Sequence, residues 1–244
     1  MVTRFKGKPT KTAMAQSKQK AIDRMVIIEA PDKYDNKTFH ANFQPEKETG
    51  NDVLYTSELA IGYDHPLSVV SLDLKRGEKL GILGGNGLGK STFLKTIVGK
   101  IPALSGEYRF GTNVQIGYFD QQMAMYTSNK TVLDDFWDEY PNLTETEARN
   151  ALGAFLFSGD DVFKNVNMLS GGEKVRLALC KILKTRPNVL VLDEPTNHMD
   201  IVGKETLESM LKDYKGTLIF VSHDRYFVKK VATQLLVFED GTTN

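Results

Sequence analysis

Residues 84–91 read GGNGLGKS and follow the apolar run KLGIL at 79–83. This is the spacing of a phosphate-binding loop that leaves a strand and opens a helix. Gly84, Gly85, Gly87 and Gly89, with Asn86 and Leu88 between them, let the backbone turn until several N–H groups face one anion. The helix expected over 90–99, with Thr92 in its first turn, aims the positive end of its dipole at the same point. Lys90 can reach the β- and γ-phosphates of a nucleoside triphosphate, and the Ser91 hydroxyl can ligate Mg²⁺.

Further groups suit the same chemistry. VLVLDE at 189–194 is an apolar strand ending in two carboxylates. Strand side chains alternate, so the two can hold separate tasks. Asp193 suits the Mg²⁺ shell, and Glu194 suits a general base acting on water. His223 follows another apolar run, LIFV at 218–221, and suits a γ-phosphate sensor at the carboxyl edge of a parallel sheet. Gln121 can touch the metal or position water, although Gln122 is an equal candidate by composition. Ser170, Gly171, Gly172 and Glu173 open a helix running to about 183. They fit a capping box, and also an anion site bared by two glycines for a second molecule's phosphate. Tyr63 can stack on an adenine or simply pack at the surface.

These groups need a sheet to hold them. Runs at 189–192 and 217–221, with the one before the glycine loop, read as doubly covered parallel strands. Short strands are expected over 39–43, 53–61, 67–74 and 235–238. The stretch from about 123 to 163 has helical periodicity, and with the helix after it suggests a helical subdomain over about 123–185 inserted into the sheet domain. Residues 10–30 read as one helix with a sparse apolar face, ended by Pro31.

Composition excludes several classes. The chain has 244 residues, 41% hydrophobic and 25% charged, enough for one large α/β domain with an attachment. A single cysteine rules out a disulfide framework, and Cys180 falls in an apolar helical stretch that suits a packed core thiol. No run approaches the ~20 apolar residues of a membrane span, so a cytoplasmic protein without a membrane partner is expected. Formal net charge is zero, yet residues 1–24 carry seven basic groups against Asp23. A basic arm of this kind suits a nucleic-acid or other anionic partner.

GGNGLGKS, LSGGEK, VLVLDEPTNHMD and VSHDR, in this order and spacing, resemble an ATP-binding-cassette ATPase from about residue 38 to the end. The resemblance implies an α/β P-loop NTPase fold of RecA-like type, with a mixed sheet core, an antiparallel β subdomain and a helical insertion. It implies ATP and Mg²⁺ as ligands. Gln121 matches the glutamine loop, residues 170–173 the signature, Asp193 and Glu194 the Walker B pair, Asp200 the loop facing a partner cassette, and His223 the switch histidine. Tyr63 matches the adenine-stacking aromatic.

Glu173 and Thr196-Asn197-His198 are similar to the ABC-F group, factors that act on the ribosome. Residues 1–37 resemble the end of the linker between that group's two cassettes, which reaches toward transfer RNA. The resemblance therefore implies rRNA or tRNA contact through the basic helix, a second cassette as partner, and a translation factor. Ribosomal protection from antibiotics is one of the roles left open. The alternative is the nucleotide-binding subunit of a transporter. The family sandwiches nucleotide between two cassettes, so one cassette is expected to be part of a longer protein and a weak ATPase by itself.

Overall fold

The computed structural model describes residues 43–239 and 241–243. The helix expected over 10–30, the basic arm and nearly all of the strand expected over 39–43 lie outside the described residues.

Nine strands form two sheets among the described residues. An antiparallel sheet of order β2-β1-β4 joins β1 (Asp52–Gly62), β2 (Pro66–Lys75) and β4 (Ser105–Phe110). Alternation in β2 carries the logic of a half-covered strand: Ser68, Val70 and Leu74 are buried while residues between them reach solvent. The strand at 105–110 had no clear expectation, because SGEYRF alternates polar groups and has little apolar content.

The larger sheet has the order β5-β6-β7-β3-β8-β9. It contains β3 (Lys79–Gly84), β5 (Ile116–Phe119), β6 (Val189–Asp193), β7 (Thr217–Val221), β8 (Gln234–Glu239) and β9 (Thr242–Thr243). All neighbours pair parallel except β8 with β9. Every residue of β6 and β7 is buried, as expected for continuous apolar runs covered on both faces. The α/β reading of a mixed sheet with a separate antiparallel sheet therefore holds.

Parallel pairing decides where function can gather. Asp193 pairs with Val221, Ile82 with Val221, and Phe119 with Leu192. The carboxyl ends of β3, β5, β6 and β7 therefore meet at one sheet edge, where ligands of open α/β sheets bind.

Among the described residues six α-helices accompany the strands: α1 (Lys90–Ile97), α2 (Val132–Glu139), α3 (Glu145–Gly153), α4 (Gly171–Lys184), α5 (Ile201–Asp213) and α6 (Arg225–Val231). Helix α1 buries Phe93, Leu94 and Ile97 in a core with Val189, Val191, Ile219 and Phe238. Each such side chain contributes about 1.5–3 kcal/mol by leaving water. That packing holds the start of α1 against the sheet edge. The α1 helix ends at Ile97, two residues short of the expected 99, in a turn where Gly99 adopts φ 78°. Cys180 is buried, as expected, with its Sγ against the Ala151 carbonyl.

Lys79 is a local surprise. It opens an apolar strand, yet its Nζ is buried and donates to the carbonyls of Leu211 at 2.8 Å and Lys212 at 2.6 Å. A cation at a helix C-terminus completes carbonyls that have no partner within the helix. It ties the strand feeding the glycine loop to the end of α5. No helix among the described residues is long and apolar enough to cross a membrane.

Candidate functional site

The glycine loop runs from the end of β3 into α1. Gly89 is the N-cap of α1, with φ 99° and no side-chain cap. An L side chain rarely adopts that φ, so glycine permits the turn and leaves the first N–H groups open to an anion. Lys90 folds back over the loop: its Nζ donates to the carbonyls of Gly84 at 2.9 Å and Gly85 at 2.6 Å. Burial lowers its pKa, while the nearby charges of Glu194 and Asp193 act the other way.

Consecutive helix residues face different clefts. Ser91 lines one of about 460 Å³ with Asp120, Gln121, Asp193, Gly171 and His198. Lys90 lines another of about 1130 Å³ with Gly84, Gly85, His223 and Arg225. In the first, the Ser91 hydroxyl donates to Asp193 Oδ1 at 2.9 Å. Asp193 is buried, and desolvation raises its pKa despite the Ser91 hydrogen bond. A cation would relieve that penalty, and hydroxyl and carboxylate oxygens are the donors Mg²⁺ prefers.

Glu194 and Asp193 are separated differently from the expectation. The strand ends at Asp193, and Glu194 adopts φ 53° in the turn after it. A left-handed turn, rather than strand alternation, sends the two carboxylates to different partners. Glu194 Oε2 accepts from the His223 backbone N–H at 3.2 Å. Glu194 Oε1 lies 3.4 Å from His223 Nε2 but makes no hydrogen bond and is buried. Such strain and an unpartnered carboxylate oxygen cluster where chemistry is done. Burial raises the Glu194 pKa, against the lowering effect of the His223 N–H.

Gln121 opens a 3₁₀ turn, Gln121–Met125, directly after β5. Asp120 was missed by sequence reasoning. It caps that turn by accepting from Gln122 N at 3.0 Å, and its other oxygen lies 3.4 Å from Lys100 Nζ. The available signal was an aspartate just before a short helical turn. Thr196, read from the sequence only as part of Thr196-Asn197-His198, has a further contact: its hydroxyl meets that of Ser222 at 3.0 Å in a buried pair linking the loops that follow β6 and β7.

Both halves of the capping box at α4 are present, between the Ser170 side chain and Glu173 N and between the Glu173 side chain and Ser170 N. Burial pushes the Glu173 pKa up, yet the Ser170 hydrogen bonds prevail and lower it. Gly172 has a further reason to be glycine: a Cβ there would lie 2.6 Å from the His198 carbonyl oxygen. The start of α4 thus rests directly on the 194–200 loop, whose His198 also adopts a positive φ of 64°. Asp200 caps α5 through Gly203 N at 2.8 Å and lies 3.8 Å from Arg176 of α4. Tyr63 is 61% exposed beyond β1, outside both clefts, and its ring is open for stacking.

Strand, glycine loop and helix, with carboxylates at the end of β6 one strand away across β7, define a P-loop NTPase fold. A family model described as ABC transporter matches residues 67–197, more than half of the chain. The chain belongs to the ATP-binding-cassette family, and its relatives are consistent with the cassette of an ABC-F ATPase. YdiF of Bacillus subtilis is 49% identical over 238 residues, covering 96% of this chain and 37% of that protein. "ABC transporter F family member 5" of Arabidopsis thaliana is 37% identical over 235 residues, covering 95% and 34% respectively. The chain therefore spans little more than a third of the length of these curated relatives. Among solved structures, the ATP-binding cassette MJ0796, in a dimeric post-hydrolysis state with ADP and Pi, shares the fold at TM-score 0.65 and 20% identity, covering 78% of this chain and 96% of that one. For cbiO1 of Clostridium perfringens, part of an ABC transporter complex, the TM-score is 0.64 and the identity 28%, covering 80% and 88%.

Proposed function

We propose that this chain is the ATP-hydrolysing second cassette of a tandem ABC-F protein, a ribosome-associated translation factor whose closure on ATP regulates binding. The observation that carries the hydrolytic reading is the buried Glu194 carboxylate, one oxygen fixed by the His223 N–H and the other free of hydrogen bonds, 3.4 Å from His223 Nε2. Held this way, Glu194 accepts a proton from the attacking water, and His223 senses the γ-phosphate from the neighbouring loop. Lys90 and the N–H groups of residues 84–92 hold the phosphates, and Tyr63 stacks on the base. Mg²⁺, when bound, neutralises charge on the phosphate oxygens. Ser91 and Asp193 would hold it, with Gln121 from the facing turn.

Ser170, Gly171, Gly172 and Glu173 serve the nucleotide of a second cassette, not that of their own chain. The dimeric state of MJ0796 supports that reading. A second cassette, or a head-to-tail copy, then completes each site. Turnover per molecule of the isolated chain is expected to rise with protein concentration. Ser170→Arg is expected to abolish turnover while ATP binding stays within about twofold. Turnover independent of concentration would overturn the shared-site mechanism.

The ribosomal reading rests on the basic residues of the 1–37 segment, on Thr196-Asn197-His198, and on the ABC-F relatives. Lysine-rich segments bind RNA phosphates with strong salt dependence. The full-length protein carrying Glu194→Gln is expected to co-sediment with ribosomes in ATP and to detach as salt is raised. No enrichment over a nucleotide-free control removes this reading. Co-purification with a multi-span membrane protein would favour the transporter-subunit alternative, to which the likeness to cbiO1 lends support.

A further inference from the structure

Gln121 stands on a turn that lies at the surface against α4. None of the residues in Gln121–Met125 is buried. The turn rests against α4 without entering the core, and polar anchors at its two ends add direction to that contact. Asp120 is the first anchor. The second begins at Tyr126, the C-cap of the turn, whose hydroxyl donates to Asp135 Oδ1 at 2.7 Å.

Asp135 is 4% exposed on α2, whose other acids face solvent more freely. Its Oδ2 lies 2.7 Å from Lys181 Nζ, a contact made at ion-pair distance without hydrogen-bond geometry. Lys181 is on α4, the helix that begins at the Ser170 cap. Its ammonium also meets Glu139 of α2 and lies 5.4 Å from the centre of the Tyr126 ring. Tyr140 closes the cluster by donating its hydroxyl to the Lys181 carbonyl at 2.6 Å. One ion pair, its carboxylate buried and its ammonium partly so, thus joins the Gln121 turn, α2 and α4. Buried ion pairs are poor sources of stability, because desolvation offsets most of their attraction. What they do supply is direction: an apolar contact tolerates sliding, whereas a paired charge does not.

We infer that the Asp135–Lys181 pair, with the Tyr126 hydroxyl on it, is a positioning device that fixes the Gln121 turn relative to the signature helix α4. Through it, the position of Gln121 at this chain's own nucleotide and the position of Ser170, which serves the second site, are set together. The inference rests on the ATPase reading for its kinetic consequence but not for its structural one.

The test uses this chain with Asp135→Asn, Tyr126→Phe and the double apolar variant Asp135→Leu/Lys181→Met. Asp135→Asn is expected to lower kcat by about tenfold to a hundredfold, the scale of a small misplacement at a reacting centre. KM for ATP is expected to stay within about twofold, because the phosphate loop is untouched. Tyr126→Phe is expected to lower kcat in the same sense, by about threefold. The double variant is expected to recover the wild-type melting temperature but not its kcat. If kcat recovers in step with melting temperature, the pair is merely structural and the inference fails. Amide hydrogen exchange over residues 121–126 decides the structural half without nucleotide. It is expected to quicken in Asp135→Asn and in the double variant, and unchanged exchange in both overturns the proposal. Loss of ATP binding by the wild-type chain would instead count against the ATPase reading.

Discussion

Glu194→Gln is expected to lower the hydrolysis rate by about 10²–10⁴-fold, the contribution of a positioned general base, while ATP still binds. Glutamine keeps the shape and the acceptor for the His223 N–H, which lies 3.2 Å from the carboxylate. It cannot take a proton from water. The same substitution is expected to stabilise the folded chain. Glu194 is buried with one oxygen unpartnered, and desolvation raises its pKa. A raised folded-state pKa means that its favourable contribution is complete below the unfolded carboxylate pKa and is lost as pH rises through the folded value. The melting temperature of the variant is therefore expected to match wild type at acid pH and exceed it near neutrality. In a domain of this size, about 1 kcal/mol of relief corresponds to roughly 2–4 °C. Calorimetry across that pH range, beside single-turnover hydrolysis, measures both effects. Wild-type turnover by the variant would remove Glu194 from the mechanism, and a melting temperature that falls near neutral pH would contradict the electrostatic account.

Lys90→Ala is expected to weaken ATP binding by roughly 10–150-fold, the equivalent of about 1.5–3 kcal/mol for hydrogen bonds to a charged group. Two observations make this site costly to lose. The ammonium is already fixed by the carbonyls of Gly84 and Gly85, so little side-chain freedom remains to be lost when phosphate arrives. It is also only 8% exposed, so its attraction for phosphate is weakly screened. Titration with a fluorescent ATP analogue measures the change. An affinity within about twofold of wild type would exclude Lys90 as a phosphate clamp.

Much of this site could be read from the chain because its pieces are local. The glycine loop needs a strand before it and a helix after it, and all three occupy one short stretch that ends in α1. The apolar runs of β6 and β7 announce themselves because a strand covered on both faces has no polar positions to break it. The capping box at Ser170 and Glu173 is a four-residue pattern with a local cause. Edge and surface elements were harder. The strand Ser105–Phe110 carries too few apolar residues, and the five-residue turn Gln121–Met125 is too short to mark its own boundaries.

The sequence by itself determined the phosphate-binding chemistry, the parallel core and the family, since each depends on residue type at fixed local spacing. Only the tertiary structure decided how distant groups meet. Parallel register brings Asp193 beside Ser91, and Thr196 beside Ser222, across long stretches of chain. A left-handed residue at Glu194, not strand alternation, turns that carboxylate toward His223. Nothing in the sequence marks Asp135 or Lys79 for burial, yet folding buries both. The physical reason is the same in each case. Burial and pairing of a charge are properties of the elements that close over it, and those elements lie far away in the chain.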